Sequence, residues 1–158
     1  MIDLLTVLEA VKTQFEADTT LSAYVEKVDF AFDDLEVDTN GMHPSINIMV
    51  YDVMTGPPPG QGMRDYVRYT IPLIIGYTTR DKLRKTALYG STTKKGAWQL
   101  FNDIIDAINV DKTFGINGIL NNIFHPEYTT DAYKHIDGSE WIGKGLMVYE
   151  IYYDEWQR

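Results

Sequence analysis

The chain has 158 residues, 44% of them apolar, and a formal net charge of −9. That length and apolar fraction suit one folded domain with a sizeable core and exclude a disordered chain. The charge disfavours binding to bulk nucleic acid or an anionic membrane. The absence of cysteine removes disulfides, thiolate catalysis and cysteine-bound metals.

No apolar run approaches the roughly 18 residues that span a bilayer, so no membrane partner is expected. The opening MIDLLTVLEAVK carries Asp3 and no basic start, which is not the pattern of a secretory signal. Within it Leu4, Leu8, Val11 and Phe15 fall on one face of a helix, with Asp3 suited to the dipole at its start and residues 18–20 ending it. Val28, Phe30 and Phe32 then alternate with Asp29, Ala31 and Asp33, a strand with an acidic face, before turn chemistry at Asp38, Asn40 and Gly41. Residues 45–53, SINIMVYDV, read as a second strand.

The longest strand signal is 65–79, where Val67, Tyr69, Ile71, Leu73, Ile75 and Tyr77 occupy six successive alternate positions. Pro72 on the opposite face cannot donate to a ladder, which predicts a bulge or a free edge there. Residues 80–90 suit a short helix ending near Gly90. Ser91, Thr92 and Thr93 are candidate N-caps for a helix over about 94–109, with Ala97, Phe101, Ile104 and Ile108 on its apolar face. Residues 119–125 make a further strand, and 141–153 a last one with both faces partly apolar, which places it centrally. The order predicts an α+β domain over 1–158: a mostly antiparallel sheet with two main amphipathic helices packed on it.

Between the second strand and the long one lies TGPPPGQGMRD. A phosphate cradle needs several backbone N–H groups leading into a helix. Pro57, Pro58 and Pro59 have none, and a strand follows. The stretch therefore reads as a protruding hairpin loop over about 54–64, stiffened by its prolines, hinged at Gly56, Gly60 and Gly62, and flanked by Met54 and Arg64. Contact with a partner is its expected use.

No motif carries catalysis. There is no GxxxxGK[ST], GxGxxG or GxSxG, and the serines are Ser22, Ser45, Ser91 and Ser139. His43, His125 and His135 have no metal-ligand spacing, and the acidic run lacks the calcium-loop pattern. No catalytic, cofactor or metal residue is assigned.

Charge is segregated instead. Residues 26–38 hold six acids and one lysine, among them Asp29, Asp33, Asp34, Glu36 and Asp38; residues 80–95 hold six bases, Arg80, Lys82, Arg84, Lys85, Lys94 and Lys95, and one aspartate. These two segments suit a heterologous contact in which the acidic segment of one subunit meets the basic segment of the next, a contact that closes into rings or runs on as filaments. The alternatives are two solvated faces, or pairing within one chain.

The N-terminal amphipathic helix, the region ending HPSINIMV, the long loop and long strand, the helix WQLFNDIIDAI and the closing strand GLMVYEIYY together resemble the tail terminator and tail-completion (head–tail joining) proteins of tailed bacteriophages. The resemblance covers nearly the whole chain and rests on element order, length and acidity; the turn over 78–93 is longer than the family's. It implies a non-enzymatic virion protein without cofactor, assembled in the host cytoplasm. It also implies a ring, commonly hexameric, that caps the tail tube, meets the head connector and lets DNA pass through its lumen without sequence specificity. Two other readings stay open. One is a small hydrolase whose carboxylates and histidines, such as Asp33, His125 or His135, converge only in the fold. The other is a nucleic-acid-binding module built on the six bases of 80–95.

Overall fold

The computed structural model of the chain describes residues 3–31, 43–50, 52–57, 66–120, 129–134 and 138–156. In chain order the elements are α1 (Leu4–Ala17), α2 (Thr19–Ser22), β1 (Lys27–Phe30), β2 (Ser45–Val50), β3 (Met54–Gly56), β4 (Tyr66–Asp81), α3 (Arg84–Tyr89), α4 (Ala97–Val110), β5 (Ile119–Leu120), β6 (Thr129–Lys134) and β7 (Trp141–Trp156). This is an α+β fold whose strands belong to one sheet, antiparallel except where β1 runs parallel to β2.

The sheet is organised around β4 and β7. They pair antiparallel over 16 residues each, from Tyr66 opposite Trp156 to Asp81 opposite Trp141. At about 3.3 Å per residue the ribbon is about 50 Å long. On the far side of β4, β3 pairs with 68–70 and β2 with 73–78. On the far side of β7, β6 pairs with 141–146 and β5 with 152–153. β7 is thus central, as its two apolar faces predict. Pro72 falls in the gap between the β3 and β2 registers, a local free edge, while the β4–β7 register runs past it without a bulge.

The two faces of the sheet differ. The odd positions of β4, from Ile71 to Tyr77, join Ile46 and Ile48 of β2 and Met147, Tyr149 and Ile151 of β7 on one face. Every helical side chain in the main core packs there: Val7, Val11 and Phe15 of α1, Leu21 of α2, and Ala97, Leu100, Phe101, Ile104, Ala107 and Ile108 of α4. The other face carries a smaller cluster of Ala31, Met49 and Ile74 with Leu146 and Val148. Strand periodicity alone produces this split, because successive side chains point to opposite faces. Gly145, opposite Tyr77 in the register, leaves room for that tyrosine; a Cβ at 145 would overlap the Tyr77 ring and hydroxyl.

The helix ends follow local polar chemistry. Asp3 caps α1, its carboxylate accepting from the Leu5 N–H and the Thr6 hydroxyl, both at 3.0 Å. Asp18 ends α1 and caps α2 by accepting from the N–H groups of Thr20 and Leu21. The buried face of α1 is Val7, Val11 and Phe15; Leu4, on the face expected to be apolar, is 37% exposed. The second main helix starts at Ala97 rather than 94. Ser91 accepts from the Thr93 and Lys94 N–H groups and so shapes the preceding turn. Gly96 is the cap position, with Gln99 reaching back to accept from its N–H at 3.0 Å. Among the described residues no helix is long and apolar enough to cross a membrane.

Candidate interaction surface

The six bases of 80–95 take up two kinds of position. Arg80 pairs with Glu140, Lys94 with Asp81 at 3.0 Å, and Lys95 with Asp103 at 3.1 Å. Arg84 lies over the Trp141 ring, 5.2 Å from its centroid. Lys82 and Lys85 are exposed and, among the described residues, have no partner. They flank Leu83, which is 64% exposed. Half of the basic segment is therefore committed to carboxylates of its own chain, and none of those carboxylates belongs to 26–38.

Of the acidic segment, Glu26 and Asp29 are described and Asp33, Asp34, Glu36 and Asp38 lie outside the described residues. Asp29 accepts from the Phe30 N–H at 2.8 Å and pairs with Lys27 at 3.4 Å. The backbone hydrogen bond first, and the lysine after it, hold its carboxyl below the usual carboxylate range, against the opposing effect of desolvation. In the hairpin loop, β3 occupies Met54–Gly56 and pairs with β4, so this part of the 54–64 segment is strand. Met54 is 57% exposed and Pro57 is exposed; Pro58, Pro59, Gly60, Gly62 and Arg64 lie outside the described residues.

Two polar clusters escaped the sequence reading. In the first, the Tyr24 hydroxyl donates to Asp103 at 2.6 Å, and the Lys95 ammonium donates to the same carboxylate while lying 5.4 Å from the Tyr24 ring centroid. Burial, and then Asp103, push the Tyr24 phenol well above its ordinary value, so it stays protonated and fixes the chain after α2 to α4. In the second, His43 Nδ1 lies 2.6 Å from the Thr78 hydroxyl, which lies 2.6 Å from that of Ser45; Asn47 donates to Ser45 at 3.3 Å. A histidine against hydroxyls is a nucleophile arrangement in outline. Ser45 and Thr78, however, are fully buried, so no substrate reaches either oxygen, and the chain ties β2 to β4. His125 and His135 lie outside the described residues. Among the described residues no three His, Asp or Glu side chains converge to hold a metal.

A concavity lies elsewhere, between the C-terminal halves of α1 and α4. It has a volume of about 460 Å³ and is lined by the apolar residues Ala10, Ala17, Ala107, Val110 and Phe114. Both helices end on its rim, where Asp18 and Asp111 follow their last turns. Gln14 crosses it, its amide donating to the carbonyls of Ala107 at 2.8 Å and Asp111 at 3.0 Å, two of the groups a helix C-terminus leaves unpaired. The Asp111 carboxylate accepts from the hydroxyl and N–H of Thr113 and from the Gly115 N–H. Those bonds, Thr113's first, hold it below the usual range, so it is ionised at neutral pH. Two helix C-termini and two carboxylates give the cleft a negative rim.

No protein-family model matches the chain, and no curated protein matches it.

Proposed function

We propose that this chain is a non-enzymatic virion structural protein that assembles as a ring, commonly a hexamer, terminating a phage tail tube or joining tail to head. The element order quoted for the resemblance is the order of the fold: an N-terminal amphipathic helix, a strand after HPS, a hairpin into a long strand, a second amphipathic helix and a long closing strand. The observation that carries the reading is the exposed basic surface at Lys82 and Lys85, left without a carboxylate among the described residues of a chain whose net charge is −9. Complementary charge on a neighbouring subunit is the natural counterpart of such a surface. In this reading the protein resides in the virion tail or neck after assembly in the host cytoplasm. Its partners are its own copies, the tail tube and the head connector, with DNA passing the lumen without sequence readout.

Light scattering after size exclusion, at low and high salt, tests this. A ring mass that falls as salt rises is the expected result. A ring indifferent to salt keeps the assembly and removes charge as its cause. A monomer at every concentration, alone and with tail tubes present, overturns the reading.

A further inference from the structure

The cleft between α1 and α4 and the exposed turn before α3 are complementary in charge, and each presents exposed apolar surface. The cleft is a concavity with an apolar lining and a negative rim. The turn carries an exposed apolar residue, Leu83, close in sequence to Lys82 and Lys85, which have no side-chain partner among the described residues. We infer that Leu83 of one copy of this chain seats in the α1/α4 cleft of the next, with Lys82 and Lys85 against the Asp18 and Asp111 rim. This deepens the ring reading and rests on it, because it names the two surfaces through which copies would meet.

Several observations favour a second copy over other occupants. The ionised Asp111 and the two helix C-termini favour a cationic visitor. Val110, lining the cleft, is 76% exposed, the highest value among the large apolar residues described, and Leu83 comes next at 64%. Exposed apolar residues of this size are ordinary singly, but here one stands beside lysines and the other on a cleft of opposite charge. The two sites cannot serve each other within one chain. α3 abuts the N-terminal end of α4, where Gly90 meets Gly96, and the cleft lies at the C-terminal end. A helix of 14 residues separates them by about 20 Å. Two complementary surfaces at different ends of one subunit make a heterologous contact, in which each copy gives one surface and receives the other.

The absence of cysteine makes the test clean. Leu83→Cys and Val110→Cys are prepared as separate full-length chains and as one doubly substituted chain, and oxidised mildly. Both positions are exposed, so native thermal unfolding is expected of each. Mixing the two single variants should give a crosslinked pair of one L83C and one V110C chain, and neither alone should crosslink. The double variant should give a ladder of multimers. As a second measurement, K82E/K85E should weaken self-association of the otherwise unmodified chain by about tenfold or more, since like charges then face each other. If the unmodified chain forms a ring but the single variants do not crosslink to each other and K82E/K85E leaves its mass unchanged, this contact is wrong, the ring reading stands, and the cleft is left to a different protein or a small ligand. If L83C crosslinks only to itself, the contact is isologous and the inference fails. If the unmodified chain is monomeric throughout, the ring reading fails with it.

Discussion

At its N-terminal end α4 meets backbone. Gly96 lies so close to Gly90 and the end of α3 that a Cβ there would overlap the Gly90 nitrogen and the carbonyl carbons of Tyr89 and Leu88. α3 is fastened in turn to the sheet, where the Thr79 hydroxyl donates to the Ala87 carbonyl at 2.5 Å. At its C-terminal end α4 packs Ala107 and Ile108 into the core, while its last turn is reached from α1 by the Gln14 side chain beside an open cleft. One end is closed by contact between main chains, the other is tied to α1 by two hydrogen bonds from one flexible amide. A closed end transmits position rigidly from helix to sheet. An end held by a side chain leaves apolar surface available and surrounds it with helix-terminal carbonyls and carboxylates. The contrast shows why the concavity sits where it does, and why its rim is negative.

Four substitutions break or sharpen this contrast. Ile104→Ala removes a fully buried side chain between the two ends and should lower stability by about 3 kcal/mol, measured by urea unfolding, loosening both. Gly96→Ala should destabilise by about 2 kcal/mol through overpacking at the closed end. A variant of native stability would show that α3 is free to shift. Gln14→Ala should cost about 1 kcal/mol at the open end, since it deprives two carbonyls of their donor. Hydrogen exchange should rise in the last turn of α4 and stay unchanged at its first. The smallest effect concerns pH. The folded state holds the Asp111 carboxyl below its unfolded value, so its contribution is complete above about pH 4 and drains away as pH falls through the folded value. The stability difference between the native chain and Asp111→Asn should therefore be largest near neutral pH and shrink as pH falls through the folded value. A difference that persists in acid would mean that Asp111 acts through shape rather than charge.

The strands with one fully buried face were legible in the sequence. Ile71, Leu73, Ile75 and Tyr77 announce β4 because the core accepts only alternate positions. β6 was not legible. Its TTDAYK has no apolar alternation, and it belongs to the sheet through its register with 141–146 of β7 rather than through a hydrophobic face. The start of α4 was misplaced because Ser91 has the chemistry of a cap, while the position that begins the helix is chosen by the absence of a side chain. The charge segregation was visible, but not its partial cancellation, since Glu140 lies far along the chain from Arg80 and Asp103 meets Lys95 from within the following helix. The cleft left only a faint trace in the small residues Ala10, Ala17 and Ala107. An apolar helix position reads the same whether a neighbour fills the space beside it or leaves it open.

The β4–β7 ribbon joins residues 60 to 90 positions apart, from Asp81 with Trp141 to Tyr66 with Trp156. Its assembly must wait for a long loop to close, which places this chain among slowly folding topologies. Until then the uncharged, β-prone run LIIGY of 73–77 lacks its β7 partner and keeps that edge open. Refolding yield is therefore expected to fall as chain concentration rises, with intermolecular pairing of β4 competing against the pairing that completes the sheet.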